Sequence, residues 1–205
     1  MKDGEFMKFE NEITVEVDTD LNCLIKLLEK NQFNLMEVYD LNDIYLINKN
    51  DKENDYLLML NKCVLIRDII EKNKETKVLT YKYKEYNNLK EIKKQSKINV
   101  YIDDIENMKL LLEKLNFEEL IKINDHMLVY ANGTDELVIQ NVNNKHIYIE
   151  IEDKCNYANR FYKSIDEMKK VITKYQIPIK NNDYFVKKAE IELNEKNNSI
   201  CNNNQ

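Results

Sequence analysis

Glutamates recur at alternate positions near both ends of the patterned part of this 205-residue chain: Glu10 and Glu12 in FENEITVEV, and Glu150 and Glu152 in YIEIE. On an extended strand an i, i+2 pair points to one face. If the two segments met, four carboxylates would share one space, and each close pair would repel by roughly 1 to 4 kcal/mol, depending on the effective dielectric. Such a group requires cations, either lysine and arginine or a hard divalent metal. Oxygen-only donors suit magnesium, manganese or calcium rather than zinc. The competing reading is an ordinary sheet with its charged face in water, and periodicity alone favours it.

Much other chemistry is closed off. Gly4 and Gly133 are the only glycines, so no phosphate-binding P-loop, dinucleotide fingerprint or GxSxG nucleophile elbow can be built. His126 and His146 lie far from any cysteine pair and are assigned no role. Cys23, Cys63, Cys155 and Cys201 are widely spaced and read as reduced thiols. A net charge of −6 with two arginines, Arg67 and Arg160, argues against nucleic acid as a partner. No stretch reaches the roughly 18–20 apolar residues of a membrane helix, and no signal-peptide core is present. The expectation is a cytoplasmic protein that does not engage a membrane.

The elements that would hold the glutamates follow from periodicity. Residues 9–17 alternate as a strand, and a helix capped by Thr19 or Asp20 follows, with Leu21, Leu24, Ile25 and Leu28 on one face. Residues 35–47 predict a second strand. Tyr56 to about Ile70 and Lys77 to about Tyr86 predict two more, joined by EKNKET. The run KEIKKQSK reads as a basic connector. Strands at about 118–131, 136–142 and 146–152 form a meander, with Asn132-Gly133 as a primed hairpin turn. Ser164 and Glu167 form a capping box opening a helix that Pro178 ends. Residues 1–193 read as one domain and 194–205 as a disordered tail.

The segment ITVEVDTDLNCLIKLLEKNQF (13–33) is echoed by INVYIDDIENMKLLLEKLNF (98–117). Each carries I-x-V-x-[VI]-D, a helix ending LLEK and a phenylalanine, and each is followed by a strand with Asn-Asp, at Asn42-Asp43 and Asn124-Asp125. A strand–helix–strand unit is used twice. Eight strands are enough to close a barrel around side chains or one small ligand. The expected class is α+β, an eight-stranded antiparallel barrel with a charged interior and three or four flanking helices.

Here the residues meet a known family. The chain resembles the CYTH superfamily of triphosphate tunnel metalloenzymes, which includes class IV adenylate cyclases and thiamine triphosphatases. Glu10-Asn11-Glu12-Ile13-Thr14 is similar to its opening Glu-x-Glu-x-Lys strand, Asp43-Ile44-Tyr45 to its Asp-x-Tyr, and CVLIR to a strand ending in arginine at Arg67. Leu79-Thr80-Tyr81-Lys82 matches a Leu-Thr-x-Lys strand, and Tyr148–Glu152 matches the closing strand. The matches fall in order over about residues 8–152, with a looser fit to Tyr184.

The resemblance implies an eight-stranded tunnel in which Glu10, Glu12, Glu150 and Glu152 hold Mg²⁺ or Mn²⁺. Arg67, Lys82 and Lys84 would hold a triphosphate, and Thr14, Asp43 and Tyr45 would line the tunnel. The implied activity is metal-dependent hydrolysis of an inorganic or organic triphosphate, ahead of adenylate cyclisation. The partner is a triphosphate-containing small molecule, and pairing of two barrels stays open.

The departures matter equally. Thr14 stands where the family has a lysine, Leu65 where it has an arginine, and Asp125 and Met127 where it has a lysine and an arginine. Gln140 replaces a common aspartate. Three or four lost charge-assisted bonds would cost about 5–12 kcal/mol of binding. Lys122, Lys145 and the lysines of KEIKKQSK are the candidate replacements. The alternative function is therefore a binding protein for a phosphorylated or anionic ligand that does not turn it over.

Overall fold

The computed structural model describes residues 11–53, 55–87 and 92–202. Strand β1 is Glu12–Glu16 and helix α1 is Leu21–Lys30. Strand β2, Asn34–Asn48, leads through helix α2, Tyr56–Leu60, to β3, Val64–Glu71, and β4, Lys74–Tyr86. Then come β5, Ile92–Tyr101, α3, Ile105–Lys114, β6, Phe117–Ala131, β7, Glu136–Val142, and β8, His146–Glu152. Helices α4, Ile165–Lys174, and α5, Lys188–Asn202, complete the chain.

All eight strands form one antiparallel sheet in the order β1-β8-β7-β6-β2-β3-β4-β5. This order carries the sequence repeat into space. The unit β1-α1-β2-β3-β4 maps onto β5-α3-β6-β7-β8 about an approximate two-fold axis between β2 and β6, where Asn42 lies opposite Asn124. Strands β1 and β5 are thus equivalent edges, and the sheet is a curled half-barrel rather than one hydrogen-bonded shut.

The two faces divide as the alternation demands. Ile13, Val15 and Val17 of β1, with Ile149 and Ile151 of β8, are buried under α1 and α4. Leu46 and Ile66 pack with Leu112 of α3. Helices therefore cover the aliphatic face, and the charged face turns inward, reversing the usual barrel. At one end this concave face is filled by a second core in which Tyr45, Cys63, Leu65 and Tyr148 meet Met59 near the end of α2 and Ala189 and Leu193 of α5.

Local chemistry explains the helix ends. Asp20, Asp104 and Ser164 cap α1, α3 and α4 by accepting from the main-chain N–H of Cys23, Asn107 and Glu167. In a chain so poor in glycine, the left-handed residues after these helices are Gln32, Asn116 and Gln176.

Several expectations are corrected. Tyr56–Leu60 is helix α2, not strand, because the Asp55 carboxylate accepts from Leu57 N and Leu58 N and starts a helical turn; so short an apolar run suits either form. From Ile92 on, the basic run is not a connector but the start of β5, an edge strand where lysine is at home. The β6–β7 connection spans residues 132–135, and Asn132 Oδ1 accepts from Thr134 N and Asp135 N. There Gly133 alone has a positive φ. The pair with two positive φ values is Asn143-Asn144, between β7 and β8. The segment from 194 is not a loose tail through Asn202, since α5 continues to that residue.

Candidate functional site

The site begins with the pairing of β1 and β8, whose register sets Glu12 opposite Glu152 and Thr14 opposite Glu150. With alternate residues on one face, Glu12, Glu150 and Glu152 all point into the concavity, and one carboxylate oxygen from each lies within 4.8 Å of the other two. All three are half-buried, so their carboxylates do not fan out into bulk solvent, and the solvated-face reading fails. Burial and the Glu12 charge raise the Glu150 carboxyl above the ordinary range, against the opposing pull of Lys188, Lys82 and a 2.9 Å hydrogen bond from Gln140 Nε2. Glu10 lies outside the described residues.

The opposite wall is basic. Under the internal repeat Glu12 corresponds to Lys97, which lies opposite Lys82 across the β4–β5 pair. Lys97 and Lys82 therefore stand at the two-fold counterparts of Glu12 and Glu152, with Lys84 two residues along β4. Lys84 Nζ comes within 3.9 Å of Glu12 Oε1, joining the two walls. Burial, then the neighbouring Arg67 and Lys84 charges, push the Lys82 ammonium down to about 8 despite Glu12. Such a group is a cation short of negative charge.

Between the walls lies a cavity of about 360 Å³, reached by Glu12, Thr14, Tyr39, Tyr45, Arg67, Lys82, Lys84, Lys97, Gln140, Glu150, Glu152, Lys187 and Lys188. Six cationic side chains and three carboxylates line it, in a chain whose net charge is −6. Tyr45 lines the cavity and also packs in the core beneath it. Asp43 lies behind Arg67, 1% exposed, and accepts 2.7 Å hydrogen bonds from Arg67 Nε and Nη2. Burial alone would raise the Asp43 carboxyl, but Arg67 overrides it and holds the group below the carboxylate range.

Reasoning from sequence missed Lys187 and Lys188. Chain segment 184–186 runs along the outer edge of β1, where Thr14 N donates to Tyr184 O and Val186 N to Thr14 O, both at 3.0 Å. This delivers the first turn of α5 to the cavity. There Lys188 pairs with the buried Asp125 and lies 3.2 Å from Gln140 Oε1. The signal was present in Asp125, an acid at an inward position that demanded a cation from elsewhere. Lys122 and Lys145 do not supply it, as they pair with Glu119 and Glu195 away from the cavity. Of the basic run, Lys97 lines the cavity.

Eight antiparallel strands curled into a half-barrel around a charged concavity, with α1, α3 and α4 on the aliphatic face, give a CYTH-like fold. No family model matches the chain. A Methanocaldococcus jannaschii protein named as a putative adenylate cyclase is 27% identical over 186 residues, covering 90% of this chain and 97% of that one. A solved structure from Pyrococcus horikoshii superposes with a TM-score of 0.68 at 18% identity, over 90% of this chain and 99% of the other. A Hippeastrum protein, described as a putative adenylyl cyclase with a dominant triphosphatase activity, superposes with a TM-score of 0.52 at 14% identity, over 85% and 90%. Among the described residues no helix is long and apolar enough to cross a membrane.

Proposed function

We propose that the cavity binds the polyphosphate chain of an inorganic or organic triphosphate and hydrolyses it with the help of Mg²⁺ or Mn²⁺. The observation that carries this reading is the facing of two walls across one cavity, Glu12, Glu150 and Glu152 against Lys82, Lys84 and Lys97. A volume of about 360 Å³ falls within the range of small-molecule sites.

The acidic wall fits a hard divalent ion. Its donors are all oxygen, they converge from adjacent strands, and the crowding that raises Glu150 is relieved by a cation placed among them. Bound there, the ion would supply Lewis-acid polarisation of a phosphoryl oxygen and orientation of the attacking water. The chain's own residues do the rest. Arg67, fixed in one orientation by Asp43, presents its remaining N–H donors to phosphate oxygens. Lys82 and Lys84 neutralise charge on the transferred group, where they act with little reorganisation. Gln140 holds Glu150 in place, and Lys188 holds Gln140. The M. jannaschii and Hippeastrum names support triphosphate chemistry of this class.

A second reading is binding without turnover. Asp125 offsets Lys188, Asp43 offsets Arg67 and Glu12 lies within 3.9 Å of Lys84, so cavity cations arrive already paired with carboxylates of the chain itself. One experiment separates the two: incubation with Mn²⁺ or Mg²⁺ and tripolyphosphate, ATP or thiamine triphosphate. The hydrolase reading expects release of phosphate or pyrophosphate well above that of a Glu12→Gln/Glu150→Gln variant, and a cyclase would release cyclic nucleotide. Equal rates from both proteins overturn turnover. Thermal stabilisation by the same ligands, without product, then selects the binding protein.

A further inference from the structure

The polar ladder of β8 does not stop at the cavity. His146, Tyr148, Glu150 and Glu152 alternate on the same concave face. Beyond the buried Tyr148, His146 meets α5 at the end of the half-barrel farther from the acidic wall. His146 Nδ1 lies 2.9 Å from Glu16 Oε1, and Nε2 lies 2.8 Å from Glu195 Oε1. Glu192 and Glu195, three residues apart, share one face of α5. One ligand atom from each of His146, Glu192 and Glu195 lies within 4.8 Å of the other two.

Two observations mark this cluster as built for a ligand rather than merely charged. Glu192 is 6% exposed. Its Oε2 accepts from Asn143 Nδ2 at 2.7 Å, while its Oε1 is buried with no hydrogen-bond partner. The hydroxyl of Tyr148, whose ring stacks on His146 with centroids 6.0 Å apart, is also buried without a partner. A buried carboxylate oxygen left unsatisfied is costly, and native folds rarely keep one without a reason. The imidazole is also already oriented. Glu16, anchored by Lys180 Nζ at 2.6 Å, sits at Nδ1. Glu16 at Nδ1 and the two α5 glutamates at Nε2 reproduce the carboxylate–imidazole–ligand order found behind metal-bound histidines.

We propose that His146, Glu192 and Glu195 bind a divalent ion of the zinc class, fastening α5 to β8. One imidazole and two carboxylates suit zinc better than magnesium, which separates this site from the oxygen-only set at the other end of the same strand. Helix α5 also carries Lys188 into the cavity, next to Lys187 just before it, so the ion would steady two cavity cations without touching them. The competing arrangement is a metal-free cluster in which Glu195 is held by His146 at Oε1 and by Lys145, 3.4 Å away, at Oε2.

His126 and His146 are the only histidines, so imidazole NMR reports directly on the site. His126 is partly exposed and pairs with Asp40, so His126→Gln leaves a folded chain whose single imidazole is His146. Chelator-stripped H126Q protein is titrated with Zn²⁺. The expected result is a shift of the imidazole resonances that saturates at one equivalent, with affinity at least about tenfold weaker once Glu195→Gln is added. An imidazole that does not move, or a titration unchanged by E195Q, overturns the proposal. Melting of the full chain provides the second reading: Zn²⁺ raises the midpoint of the parent and raises that of E195Q less, and equal shifts count against the site.

Discussion

Lys188, from the first turn of the C-terminal helix, pairs with Asp125 in the middle of the sixth strand, and the Asp125 side chain is wholly buried. An acidic residue stands at an inward position, and a helix remote in sequence supplies the opposite charge. Replacing Lys188 with methionine strands a buried carboxylate. The expected loss is about 3–5 kcal/mol of stability, and Lys188→Met/Asp125→Leu should recover much of it. Chemical denaturation of the two variants measures both effects.

Lys82 sets a pH dependence. Its ammonium is held down to about 8 by burial and by Arg67 and Lys84. A bound polyanion favours the charged form, so binding takes up a proton near that pH. Affinity for tripolyphosphate is expected to be highest below about pH 8 and to weaken as pH rises through it. Isothermal titration in two buffers of different ionisation enthalpy counts the protons. Lys82→Met should flatten the profile, and a profile that stays steep assigns the dependence to another group.

The acidic wall is tested without any substrate. Glu12→Gln, Glu150→Gln and Glu152→Gln should each reduce Mn²⁺ affinity by at least about tenfold, by analogy with losses seen when residues supporting metal sites are removed. Electron paramagnetic resonance of free Mn²⁺ gives the bound fraction directly. Glu150→Gln also removes a carboxylate whose charged form burial and Glu12 disfavour, so that apo protein should melt no lower than the parent.

Asp135 carries a stability prediction away from the cavity. Its buried carboxylate accepts from Tyr162 Oη at 2.9 Å, Tyr175 Oη at 2.7 Å and Lys174 Nζ at 2.8 Å, and it also pairs with Arg160. Burial would raise this carboxyl, but these partners hold it below its ordinary value. A depressed folded value contributes stability that is present above the unfolded pKa of about 4 and is lost as pH falls through the folded value. Asp135→Asn should cost about 3–5 kcal/mol and remove part of the acid sensitivity below pH 4. Urea melts of parent and variant at pH 7 and pH 3 check both.

Alternation and local capping made most of the fold legible. Glutamates spaced by two fixed which face of β1 and β8 was acidic, and the echo of residues 13–33 in 98–117 anticipated the two halves related about Asn42 and Asn124. Short apolar segments were misread where one cap decided the outcome, as Asp55 did for Tyr56–Leu60. The segment from 194 has few apolar residues of its own, and α5 reaches into it from a start that Ala189 and Leu193 anchor in the concave core.

The sequence by itself determined the alternation, the repeat, and which residue types could form an acidic group and a basic group. Tertiary structure alone decided that these groups face each other, since their facing depends on sheet order and on a curl that brings β1 toward β4. It also decided the partners of the buried acids. Asp43 finds Arg67 across one strand pair, whereas Asp125 finds Lys188 only through a connection of more than sixty residues. A buried charge requires an opposite charge close in space, and no local pattern in the chain specifies where along it that partner will be found.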